Sequence, residues 1–128
     1  MPVVSSSPSS PSPRHHTISA NAVYHDLGGD PPMLLDSVLD GNIKTSAMLD
    51  CGATSQFMDY GFAKKHNFKF YKIVPELLSL ADGRPVEAGP LVHEVRVQLR
   101  IDQHLEHLVF RLTKLGNYNL ILGKSWLR

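Results

Sequence analysis

With 128 residues the chain is long enough for one domain and no more. Its 42% hydrophobic and 20% charged residues are ordinary for a soluble globular protein, and a net charge of +1 gives no electrostatic footprint for nucleic acid or an anionic membrane. A single cysteine, Cys51, excludes an internal disulfide and any zinc knuckle built from several thiolates.

The N-terminal run SSSPSSPSPRHHTIS is too poor in apolar residues to offset its ordering entropy, so residues 1–22 are expected to form a disordered Ser/Pro-rich linker before a domain spanning residues 23–128. The first residues lack the charged and apolar regions of a secretory signal, and no apolar stretch approaches the roughly twenty residues that span a bilayer. An intracellular, cytoplasmic protein is the expectation.

Met33 to Val38 reads as a strand, and Asp40-Gly41 as a hairpin turn. Ile43, Thr45, Ala47 and Leu49 then alternate with Lys44, Ser46 and Met48, the period of a second strand, which runs directly into Asp50-Cys51-Gly52-Ala53-Thr54. Ser55 to Met58 is short and extended. Asp59 is placed to cap a brief helix from Tyr60 to His66, whose basic end suits the helix dipole. Phe68 to Ile73 reads as extended until Pro75 interrupts it. Glu76–Ala81 and Arg84–Ala88 flank Asp82-Gly83 as a further hairpin. Val95, Val97, Leu99 and Ile101 give the clearest alternation in the chain, followed by a turn at Asp102-Gln103 and a partner strand from Leu105 to Leu112. Leu120-Ile121-Leu122-Gly123 closes the series, and residues 124–128 are expected to begin a helix. Many short strands with one short helix predict an all-β sandwich or barrel.

The chemistry-bearing segment is the loop after the second strand. Here a carboxylate at the end of a buried strand is followed by a glycine that lets a backbone approach closely and by a small alanine, which leaves an acid–base group on a tight, open loop. Asp-x-Gly alone is common in turns and would favour a structural aspartate. Three features shift that balance: the order strand, Asp50-Cys51-Gly52-Ala53-Thr54, strand, helix; the later Asp-Gly hairpin at Leu80, Ala81, Asp82 and Gly83; and the apolar-apolar-Gly strand Ile121-Leu122-Gly123 followed by Ser125-Trp126-Leu127.

In this combination the chain resembles the retropepsin family, most closely the protease domain of gypsy-like long-terminal-repeat retrotransposon polyproteins, from about Tyr24 to Arg128. The resemblance implies a closed retropepsin-like barrel protomer with Asp50 as its catalytic carboxylate. Gly52 and Ala53 would line the peptide path, Leu80–Gly83 would form a mobile flap, and Ile121, Leu122 and Gly123 would pack beneath the catalytic loop. Only one Asp-x-Gly-Ala segment is present, whereas hydrolysis needs two carboxylates, one to take a proton from water and one to present a proton to the scissile carbonyl. At about 3 Å apart two carboxylates cannot both ionise, so such a pair shares a proton. Asp50 is therefore expected to meet Asp50 of a second copy on the two-fold axis of a homodimer. The implied substrate is an extended polypeptide held as an added strand, within a retroelement polyprotein. No metal or organic cofactor is implied, because water is the nucleophile, and neither nucleic acid nor membrane is an expected partner.

The sequence departs from the family at four places, one of them Ser125, where the related retrotransposon proteins often have Asp before the Trp and where a serine is placed to cap the terminal helix. Cys51 stands where a Thr or Ser hydroxyl usually grips across the dimer, and a thiol makes a weaker grip. No His lies near it in sequence, which argues against a thiol protease. Thr54 stands where many retroviral members carry an acidic residue paired to an Arg, leaving a hydroxyl contact to Lys124 as the substitute. The chain stops at Arg128 without the strand that retroviral dimers interleave, which is expected to weaken the dimer. The alternative is an inactive or domesticated domain used for dimerisation or peptide binding. His104 and His107 fall on opposite faces of a strand and are read as surface residues rather than metal ligands. Trp126 is read as a packing anchor.

Overall fold

The computed structural model describes residues 14–24 and 32–126. Along the chain these form β1 (His15–Ile18), α1 (Ala20–Val23), β2 (Leu34–Leu39), β3 (Ile43–Leu49), β4 (Phe57–Asp59), α2 (Tyr60–Lys65), β5 (Tyr71–Leu80), β6 (Leu91–Ile101), β7 (His104–Thr113) and β8 (Leu120–Leu122). The strands follow the order β1-β5-β6-β2-β3-β8-β4-β7, and an additional β6–β7 pairing closes the six strands from β6 to β7 into a barrel. β5 and β1 extend from it as a side sheet.

Local chemistry accounts for most of these elements. Asp40 and Gly41 both adopt positive φ (49° and 82°) at the centre of a tight turn closed by Asn42 N–H on Leu39 O at 3.1 Å, which joins the Leu39–Ile43 pair. The alternation seen in β6 becomes a buried face of Val95, Val97, Leu99 and Ile101, in antiparallel register with β7. One carboxylate ends β4 and starts α2: Asp59 accepts from Phe62 N–H at 3.0 Å with one oxygen and from Leu115 N–H at 2.9 Å with the other.

Two apolar clusters share β3 and β8 between them. Ala47, Leu120 and Leu122 face the barrel interior with Leu39, Val95 and Phe110, while Met48 and Ile121 face a second cluster with Ile18, Phe57, Leu80 and Leu91. The ends of β3 and β8 are thus buried on both faces, as in sheets covered on both sides. That burial fixes where the following loop emerges.

Four expectations change. The linker assigned to residues 1–22 is overturned from residue 14 onward, since His15–Ile18 forms β1 and Ala20–Val23 forms α1; residues 1–13 lie outside the described residues. Ile18 and Ala22 are fully buried, so two apolar side chains and a set of long-range hydrogen bonds order a segment whose composition looks soluble. Pro75 does not interrupt its strand: β5 runs through it, with a register shift between Lys72 and Glu76 where the missing N–H is tolerated. Arg84–Ala88 is not a strand, and only a Ser79–Pro85 bridge pairs across the hairpin. The expected terminal helix is a turn over residues 124–126, and its last two residues lie outside the described residues. No helix among the described residues is long and apolar enough to cross a membrane.

Candidate active site

Asp50 leaves β3 and enters a tight loop held from below by β8. Its N–H donates to Leu122 O at 2.9 Å, its carbonyl accepts from Ala53 N–H at 3.1 Å, and its Oδ1 accepts from Gly52 N–H at 2.8 Å. Lys124 N–H donates to Ala53 O at 2.9 Å, and Gln56 Oε1 accepts from Gly123 N–H at 3.3 Å and from Ser125 Oγ at 2.9 Å. A methyl group on Gly123 would stand 2.6 Å from Ala53 O, so the loop rests directly on backbone. Leu122 and Gly123 thus meet the loop through backbone, and Ile121 shares an apolar cluster with Ala53. Asp50 as a residue is only 5% exposed.

The other loop residues separate. Cys51 and Thr54 are exposed and Gly52 is half-buried, but Ala53 is fully buried in the second apolar cluster. Ala53 is thus core rather than an open lining of a peptide path. Above the loop, Leu80 ends β5 and is buried, while Ala81, Asp82 and Gly83 form an exposed turn. Leu80 N–H bonds Arg84 O, and Gly83 N–H bonds Leu80 O, each at 2.8 Å. A methyl group on Gly52 would be 3.3 Å from the Ala81 Cβ, which puts the hairpin tip against the loop.

Between loop and hairpin runs β1, which composition alone did not reveal. It pairs parallel to β5, with His15 opposite Leu77 and Ile18 opposite Leu80. Leu77 N–H donates to Arg14 O at 2.7 Å, and Ala81 N–H to Ile18 O at 2.8 Å. Its other edge meets the Asp50 loop: Thr17 N–H donates to Thr54 Oγ1 at 3.0 Å, Thr54 N–H to Thr17 O at 3.1 Å, and Thr17 Oγ1 to Gly52 O at 2.9 Å. The Thr54 hydroxyl thus has Thr17 as its partner, while Lys124 reaches the loop through its backbone. Ser19 then meets the carboxylate twice, its N–H donating to Asp50 Oδ2 at 3.1 Å and its hydroxyl donating to Asp50 Oδ1. The signal that was available is the inward pair His16 and Ile18, with Thr17-Ile18 β-branched, directly after the Pro/Ser run ends.

A buried ion-pair cluster anchors β1. His16 Nε2 lies 3.0 Å from Glu76 Oε1, the same oxygen that accepts from Arg111 Nε at 3.0 Å, and the His16 ring meets the edge of Phe57. A carboxylate only accepts, so a neutral His16 must carry its proton on Nε2. Burial is the largest influence on His16 and lowers its proton affinity; Arg111 and Arg14 add to this, outweighing the attraction of Glu76. Burial alone would raise Glu76, but the Arg111 bond and charge, with help from His16, hold its carboxyl below the usual range. Both shifts carry one sign: the folded state prefers fewer protons than the unfolded chain, so stability is present at neutral pH and declines as pH falls. For His16 the decline begins just below the ordinary histidine value of about 6.5. Lowering pH from 7.5 to 5.5 is therefore expected to lower Tm, and His16→Gln to flatten that slope in a thermal melt. An unchanged slope in the variant would remove His16 as its source.

The histidines on β7 take no part in this site. His104 pairs with Glu106 at 2.9 Å on the surface, and among the described residues no group of three or more His, Cys, Asp or Glu is arranged to hold a metal. Trp126 packs against the barrel core, with its ring edge toward His104.

A six-stranded closed barrel, an aspartate loop seated on an apolar-apolar-Gly strand and a hairpin over the loop define a retropepsin-like protease domain. The fold is similar to that of the EIAV protease complexed with the inhibitor HBY-793, with a TM-score of 0.58 over 82% of this chain and 91% of that one at 13% identity. The profile of the PEG10/RTL1 protease domain matches residues 46–128. The chain belongs to that family, a retropepsin-like group of retrotransposon origin.

Proposed function

We propose that the chain is one protomer of an aspartic endopeptidase, in which Asp50 and Asp50 of a second copy activate water against a peptide bond of a retroelement polyprotein. The observation that carries this reading is the buried Asp50, its backbone N–H held by Leu122 O and its loop met at Gly52 by the tip of the Ala81 hairpin, in a chain of the PEG10/RTL1 protease family. Water attacks the scissile carbonyl as one carboxylate accepts its proton, and the second carboxylic acid protonates the carbonyl oxygen. The first carboxyl then passes the proton taken from water to the leaving amine as the tetrahedral intermediate collapses, and a hydroxyl of the intermediate returns its proton to the second carboxylate. Substrate backbone would bond the loop at Gly52 and the hairpin edge at Leu77–Ala81, as an added strand. Leu80, Ala81, Asp82 and Gly83 would be the lid that excludes water.

Exposed Cys51 stands beside the position where two loops would meet, and its thiol is a weak gripping group. A weak, concentration-dependent dimer follows. Cleavage of a peptide pool, scanned from acid to neutral pH at rising protein concentration, tests the reading: specific activity should climb with the dimer population seen by sedimentation. A well-formed dimer that cleaves nothing at any pH, with its peptide cleft open, would instead support the inactive, domesticated alternative.

A further inference from the structure

We infer that residues 14–19 are a built-in occupant of the peptide cleft, a self-inhibiting strand whose Ser19 caps the Asp50 carboxylate until it is displaced. The inference rests on the cleft reading above and adds what fills that cleft in the resting chain.

The segment does what an extended peptide ligand would do there. Its carbonyls take hairpin N–H groups, Arg14 O from Leu77 and Ile18 O from Ala81. Its opposite edge takes the loop through Thr17, to Gly52 O and Thr54. Alternate side chains point inward, and Ile18 is fully buried among Leu78, Leu80 and Leu91, filling a pocket as an apolar substrate side chain would. At the carboxylate, one residue supplies a donor to each oxygen.

The arrangement blocks rather than presents a substrate. Ile18 O is held by Ala81 N–H, and Ser19 O accepts from Ala22 N–H at 3.0 Å, so both carbonyl oxygens flanking Ser19 are bonded away from the carboxylate. The atoms facing Asp50 are an amide N–H and a hydroxyl. After Ser19 the chain leaves the extended path into α1, which is pinned by Gly116 N–H on Ala22 O at 3.1 Å. A second carboxylate would have to come within about 3 Å of Asp50 to share its proton. With both oxygens already engaged by Ser19, substrate and partner Asp50 each require the strand to move. Substrates that compete best should carry an apolar, β-branched residue where Ile18 lies.

Ser19 has φ −70° and ψ 147°, values proline adopts without strain. Ser19→Pro therefore removes both donors to Asp50 and sets a ring carbon where the N–H met Asp50 Oδ2, which drives the strand from the carboxylate without straining the φ of residue 19. The probe is a synthetic peptide with two valines followed by statine, whose hydroxyl replaces that of Ser19. In the full chain, Ser19→Pro should speed amide exchange at Leu77 and Ala81 and tighten probe binding at least about tenfold, as expected when a competing closed state is depopulated. Ser19→Ala, which loses only the hydroxyl, should fall between wild type and Ser19→Pro, and it decides the matter if the proline variant does not fold. Equal probe affinity in wild type and a folded Ser19 variant, with binding lost in Asp50→Asn, would leave the cleft in place and overturn the self-inhibition. A released strand with no probe binding would overturn the cleft reading itself, and the occupant with it.

Discussion

Asp50→Asn is expected to abolish cleavage, by about 10⁴-fold or more, while leaving a folded barrel. Positioned acid–base groups typically contribute about 10²–10⁴-fold each, and in a homodimer one substitution replaces both members of the pair. The amide remains an acceptor for Gly52 N–H and for the Ser19 hydroxyl, so the loop retains most of its internal bonding. Its NH₂ would face Ser19 N–H, donor against donor, at the contact now 3.1 Å long. That conflict costs about 1–3 kcal/mol at most, a loss confined to the β1 segment. The informative pairing is therefore activity against melting temperature. Lost cleavage with a shift of a few degrees marks a chemical role; lost cleavage with a collapsed fold would mark a structural one.

Gly123→Ala is expected to damage stability and site together. The added methyl would stand 2.6 Å from Ala53 O and 2.9 Å from Ala53 C, and neither backbone atom can rotate away as a side chain would. Relief requires β8 and the Asp50 loop to separate, which stretches the Lys124-to-Ala53 and Asp50-to-Leu122 hydrogen bonds. Overpacking in a close-packed interior costs about 1–3 kcal/mol, and a clash with fixed backbone on a doubly buried strand belongs at about 3 kcal/mol. Chemical denaturation should show the loss as a lower midpoint with an unchanged slope. Binding of the statine peptide should weaken in the same variant, because the loop that carries Asp50 has moved. A Gly123→Ala protein as stable as wild type would mean that the loop does not rest on β8 as described.

The barrel was readable where local pattern and tertiary environment agree. The alternation from Val95 to Ile101 predicted a strand with one buried face, and that face is the barrel wall. Asp40-Gly41 predicted a hairpin because both residues tolerate positive φ, and both adopt it. Asp50 at the end of an apolar strand, with Ile121-Leu122-Gly123 far along the chain, placed the loop on its support through resemblance rather than periodicity. What escaped depends on contacts distant in sequence. β1 offers only His16 and Ile18 as inward residues, and its order comes from β5, the Asp50 loop and the Glu76–Arg111 cluster. Ala53 looked like a surface residue of a path because the loop is polar around it, yet its methyl turns into the core. Pro75 looked like a breaker because sequence does not show where a bulge falls.

The central claim is that two copies of Asp50 form one catalytic pair, and subunit mixing tests it most directly. Wild type and Asp50→Asn are mixed in varied ratios at one fixed, dimer-forming total concentration, and cleavage is measured after subunits have exchanged. If one carboxylate must come from each copy, activity follows the square of the wild-type fraction, so an equal mixture retains about a quarter of the activity of wild type alone. Activity that falls only in proportion to the wild-type fraction, to about half in the equal mixture, would show that each protomer works with its own Asp50 alone and would contradict the shared pair.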